Sequence, residues 1–70
     1  MISYTPLWDI LKRKNISTYK LINTYHFSPR TIHKLKHNQN ITMNTLERLC
    51  VILKCMPNDI VYFLPSEHNI

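Results

Sequence analysis

Among the side chains able to carry acid–base, metal or nucleophilic chemistry in this 70-residue chain are four carboxylates, four histidines and two cysteines. Asp9, Glu47, Asp59 and Glu67 are scattered along the sequence. No nucleophile–base pair stands out, and with glycine absent altogether there is no glycine-rich phosphate loop. An enzyme is not expected. His33 and His37 stand four apart, a spacing at which one face of a helix can hold a metal. They lack the His-Glu-x-x-His arrangement, and the cysteines lie far along the chain, so neither a metal nor another cofactor is expected. Cys50 and Cys55, if they share one helix, sit about 7.5 Å apart along its axis. That exceeds the roughly 7 Å that a disulfide tolerates. Reduced thiols packed as small apolar side chains are expected.

What remains is charge and hydrogen-bond donation. The formal net charge is +5. No Asp or Glu occurs between Asp9 and Glu47, while Lys12, Arg13, Lys14, Lys20, Arg30, Lys34 and Lys36 all lie in that interval, with His26, His33 and His37 among them. Such a distribution suits a surface that faces a polyanion. It also suits a merely solvated helix face, and composition does not choose between the two.

The elements that must position these groups read as helices. Thr5-Pro6 forms a cap and first residue, with Leu7, Ile10 and Leu11 on one apolar face and Trp8 beside it as an anchor. Lys12, Arg13 and Lys14 suit the negative end of that helix, and Asn15 suits a left-handed stop, giving a span of about 6–14. Ser17 caps a second helix of about 18–24 carrying Tyr19, Leu21, Ile22 and Tyr25. His26-Phe27 is a tight connection. Ser28-Pro29 opens a third helix of about 29–37, in which Ile32 and Leu35 point inward while Arg30, His33, Lys34 and His37 point outward. Asn38 stops it. A polar loop to Ile41 leads to Thr42, the cap of a helix of about 43–54 with Leu46, Leu49, Cys50 and Leu53 inward. Met56-Pro57 opens a fifth helix with Ile60, Val61 and Leu64 inward, ended by Pro65. The tail 66–70 reads as frayed.

The expected architecture is therefore all-α, a compact five-helix bundle forming a single domain over 1–70. Its 44% hydrophobic content is that of a folded domain. No apolar run approaches the roughly 20 residues of a membrane helix, and the first ten residues lack the order of a signal peptide. A cytoplasmic location and no membrane partner are expected.

The helix of 18–24, a short turn and the helix of 29–37 make a helix-turn-helix unit of about 18–37. Reading the major groove needs a helix pinned on its inner face by apolar side chains and offering donors on its outer face. Ile32 and Leu35 can pin it. Arg30 and Lys34 can donate to guanine, His33 can reach a base or a phosphate, and Pro29 can meet a thymine methyl. Ser28 and the free N–H groups of the first turn suit a phosphate oxygen, with Lys36 and His37 as further contacts to the DNA backbone.

From about Leu11 to Leu64 the chain resembles the Xre-type, or Cro and phage-repressor-like, helix-turn-helix regulators. The resemblance rests on Ser17-Thr18 and Leu21-Ile22, on Ser28-x-x-Thr31-Ile32-x-x-Leu35, on Thr45-Leu46-x-x-Leu49 and on Asn58-Asp59-Ile60. It implies a lambda-repressor-like fold and a transcriptional regulator, often a repressor, that binds a double-stranded operator as a dimer. By position it implies that Pro29, Arg30, His33 and Lys34 read bases, that Thr18 meets phosphate, and that Asn38, Asn40 and Thr42 touch the backbone. Two positions depart from the family pattern: His26 replaces the usual turn glycine, and Asn38 the glycine after the third helix.

Two readings of the C-terminal Tyr62, Phe63 and Leu64 stand open, as closure of the core or as the exposed face of a homodimer that Tyr4 would extend. No small-molecule effector is implied. The rival reading of function is a protein-interaction module of the same fold, an antitoxin or adaptor whose basic face meets an acidic partner. A steep salt dependence with duplex preference separates the two.

Overall fold

The computed structural model describes residues 1–65; the expected frayed tail 66–70, with Glu67, lies outside them. In chain order the elements are β1 (Ile2–Ser3), α1 (Thr5–Arg13), α2 (Thr18–Asn23), α3 (Pro29–Lys36), α4 (Met43–Leu53), a single 3₁₀ turn (Pro57–Asp59) and β2 (Tyr62–Phe63). Four helices stand where four were expected, with ends within a residue or so.

Local chemistry explains why. Ser17, Ser28 and Thr42 are extended N-cap residues whose hydroxyl oxygens accept from the backbone N–H of Lys20, Thr31 and Thr45, each at 3.1 Å. Each bond satisfies one of the donors that a helix start leaves unpaired. Helix ends are equally regular. Asn15, Asn38 and Lys54 take φ of 57°, 54° and 53°. Beyond each, an N–H reaches back five residues: Ile16 to Leu11 at 2.9 Å, Gln39 to Lys34 at 2.9 Å and Cys55 to Cys50 at 3.0 Å. These are the bonds of the Schellman motif, which needs one left-handed residue.

Three expectations about elements are corrected. Thr5 does not cap α1. The helix begins at Thr5 with Tyr4 as its cap residue and no capping side chain, and the Thr5 hydroxyl instead pairs with Ser3 Oγ at 2.9 Å. Among the described residues there is no fifth α-helix, and the architecture they form is a four-helix, mostly helical fold with a small sheet. Only the 3₁₀ turn follows Pro57, and Tyr62–Phe63 pairs antiparallel with Ile2–Ser3, Ile2 opposite Phe63 and Ser3 opposite Tyr62. Val61, Tyr62 and Phe63 are residues that favour strands, and the N-terminal strand supplies their partner. Leu64 N–H extends the pairing to the Met1 carbonyl at 2.6 Å. Leu64, expected inward, is therefore exposed, while Ile60 is buried as expected.

The third correction concerns the cysteines. They do not share a helix: α4 ends at Leu53, and the left-handed Lys54 turns Cys55 back toward Cys50. The axial-rise argument against their approach does not apply. Both are free thiols, half-buried.

One core runs through the domain: Tyr4, Leu7, Ile10, Leu11, Leu21, Phe27, Ile32, Leu35, Leu49, Leu53 and Ile60 are all buried, with Trp8 packed against them. Tyr4, which one of the two open readings added to an exposed patch, is 1% exposed. Tyr62, Phe63 and Leu64 are 42%, 74% and 38% exposed, so they do not close the core.

Candidate nucleic-acid interface

α3 is anchored by Ile32 and Leu35, both buried. With 3.6 residues per turn, the opposite face carries Arg30 and His37, flanked by His33 and Lys34, while Pro29 and Lys36 lie toward one margin. Pro29, Arg30, His33, Lys36 and His37 are exposed and Lys34 is half-buried. The helix thus presents a continuous face of cations and imidazoles. The His33 and His37 rings stack along it, centroids 4.2 Å apart and planes tilted by 42°. Among the described residues no three His, Cys, Asp or Glu side chains gather as metal ligands.

α2 and α3 are joined by Thr24 to Ser28, and that connection is built on His26. Its φ of 62° is a left-handed value, the conformation the missing glycine would have supplied. The turn is held from within by Tyr25 N–H to Lys20 C=O at 3.3 Å and Phe27 N–H to Leu21 C=O at 3.0 Å. Asn38, the other position where the family pattern has glycine, is left-handed too. Both departures are absorbed at their backbone angles.

The candidate backbone contacts fall into two groups. Asn40 is exposed, Thr18 is half-buried at the start of α2, Lys36 ends α3 and His37 is its C-cap residue. Ser28, Thr42 and Asn38 already hold structural bonds. The Ser28 hydroxyl caps α3 and lies 2.9 Å from the Thr31 hydroxyl; Thr42 caps α4 and lies 3.0 Å from that of Thr45. Asn38 Oδ1 accepts the Tyr4 N–H at 3.1 Å. A ligand meeting these residues meets side chains whose orientation is set beforehand.

Several residues that support this surface carry no signal in local sequence patterns. Tyr4 reaches the Gln39 carbonyl with its hydroxyl at 2.6 Å. Arg48, on α4, reaches the turn between α2 and α3, donating to the Tyr25 carbonyl at 2.7 Å. These contacts span 35 and 23 residues, beyond the reach of helical spacing.

Comparison with known proteins agrees with the helix-turn-helix fold. A family model described as the Cro/C1-type helix-turn-helix DNA-binding domain matches residues 6–66. The chain is also similar to a solved structure, the crystal structure of the transcriptional regulator VanUg in its Form II. The TM-score is 0.85 and the identity 31%, over 93% of this chain and 87% of that one. No curated protein matches significantly.

Proposed function

The chain belongs to the Cro/C1-type helix-turn-helix DNA-binding domain family, and on that premise we propose that it is a repressor that binds a specific double-stranded operator with α3 in the major groove. The observation that carries this reading is the division of α3, with Ile32 and Leu35 buried beneath and Arg30 and His33 exposed above, a face that His37 continues at the C-cap.

In this reading Arg30 donates to guanine acceptors, His33 and Lys34 meet neighbouring base edges, and Pro29 packs on a thymine methyl. Thr18, Ser28, Lys36, His37, Asn38, Asn40 and Thr42 meet phosphates and set the register. The basic interval from Lys12 to Lys36 supplies the attraction that precedes recognition. Two copies dock on the two halves of an inverted repeat, joined through the exposed Tyr62, Phe63 and Leu64. No helix among the described residues is long and apolar enough to cross a membrane, and an operator places the work in the cytoplasm.

The test is selection of bound sequences from a random duplex pool at about 150 mM salt. Enrichment of an inverted repeat with half-sites about one helical turn apart, roughly 34–36 Å, is the expected result. A single enriched half-site removes the dimer and keeps the operator. No enrichment overturns the reading and favours the same basic face bound to an acidic protein.

A further inference from the structure

The turn between α2 and α3 is the joint that sets where α3 points, and its own backbone bonds leave part of it for another element to hold. His26 adopts φ of 62° without being glycine. Phe27, the residue before the α3 cap, is buried at the core. The Tyr25 carbonyl, within the turn, is not spent on the backbone bonds that close it.

Arg48 closes this joint from outside. From the middle of α4 its Nη2 donates to the Tyr25 carbonyl at 2.7 Å. Its guanidinium carbon stands 4.2 Å from the centroid of the Phe27 ring. One planar group therefore grips both sides of His26. A guanidinium does this better than an ammonium, because it can lie flat on a ring while its N–H groups point in its own plane to an acceptor. The contact spans 23 residues, so it couples the turn to α4 and not to its own helices.

From this grip we infer that Arg48 is a positioning residue for DNA reading: it holds the α2–α3 turn so that α3 presents one pose to the groove. The inference rests on the operator-binding reading and extends it to a residue outside the α3 surface. Arg48 acts through the backbone of the turn, without meeting a base. One donor of its guanidinium is spent on the Tyr25 carbonyl and its face on the Phe27 ring, and in this inference the group makes no direct contact with a phosphate. Its loss therefore changes discrimination between duplexes, while the number of phosphates neutralised stays the same.

Two variants of the full chain test this, Arg48→Met, which keeps the apolar stem, and Arg48→Lys, which keeps the charge. Amide hydrogen exchange on the free protein reads the joint directly. In Arg48→Met the Phe27 N–H should exchange about tenfold faster relative to the Leu49 N–H in the core, as expected for loss of one charge-assisted hydrogen bond. Arg48→Lys should fall between that variant and the parent. On the duplex enriched from the random pool and on a scrambled duplex, discrimination should drop about tenfold with the salt slope unchanged. A salt slope that falls by about 0.9, one phosphate contact, overturns the inference by making Arg48 a direct DNA contact. Unchanged Phe27 exchange overturns it as well. If the parent enriches no duplex, the operator reading fails, and the exchange measurement still reports whether Arg48 holds the turn.

Discussion

The Tyr4 hydroxyl donates to the Gln39 carbonyl at 2.6 Å, joining the N-terminal segment to the loop that leaves α3. Its backbone N–H donates to Asn38 Oδ1 at 3.1 Å. Two successive residues of that loop are therefore fixed by one residue preceding α1, which is itself placed by the pairing of β1 with β2. The loop also carries Asn40 and leads to Thr42, both proposed backbone contacts. α3 is thus held at both ends by distant side chains, Tyr4 at its C-terminal end and Arg48 at its entry.

Tyr4→Phe should keep the buried ring and remove only the bond to Gln39. The expected cost is about 1 kcal/mol, read as a fall in Tm of about 4–8 °C for a domain of this size. Tyr4→Ala, which empties the ring's place, should cost about 3–5 kcal/mol. A Tyr4→Phe variant as stable as the parent would remove the Gln39 bond from the fold's support.

Stability should decline at alkaline pH. Burial raises the Tyr4 phenol above 10.0. It likewise raises the Cys50 and Cys55 thiols above 9.0, with the Asp59 carboxylate adding to the effect. The unfolded chain ionises these groups first, so their contribution is complete below the unfolded values and is lost as pH rises from 9.0 toward the raised folded values. Denaturant midpoints taken from neutral to alkaline pH should fall in two stages, the thiols first. Tyr4→Phe should lose less of its own stability in the second stage than the parent loses.

The left-handed positions should respond unequally to glycine. At Lys54 and His26 a Cβ strains the backbone, and Lys54→Gly or His26→Gly should stabilise by about 0.5–1 kcal/mol, the strain relieved less glycine's added entropy. Asn15→Gly should be nearly neutral, since Asn tolerates this conformation. Asn38→Gly should cost about 1 kcal/mol, because it also removes the acceptor for Tyr4 N–H. Urea midpoints of the four variants check the order.

On DNA, Arg30→Ala and Lys36→Ala should fail differently. Loss of a base contact costs about 1–3 kcal/mol on the operator and relaxes one base pair. Loss of a phosphate contact weakens all sequences alike and lowers the salt slope by about 0.9. Titrations on operator and random duplexes at several salt concentrations separate them. Equal losses on both duplexes for Arg30→Ala would remove it from base reading.

Residues close together in sequence specify the four helices, the side-chain caps of α2, α3 and α4, and the division of α3 into apolar and cationic faces. Each depends on residues within a few positions of one another: Ser17, Ser28 and Thr42 bond three residues ahead, and Asn15, Asn38 and Lys54 each turn the chain at a helix end. Ile32 and Leu35 fall on one side by helical geometry alone. Tertiary structure alone decided the rest. Whether residues 60–64 continue as a helix or form a strand depends on a partner from the opposite end of the chain, since a strand's hydrogen bonds are made elsewhere and a helix makes its own. The same non-local choice buries Tyr4, which an exposed-patch reading had placed on the surface. The grip of Arg48 on Tyr25 and Phe27 is equally beyond local pattern, because it exists only once α4 has packed beside the turn.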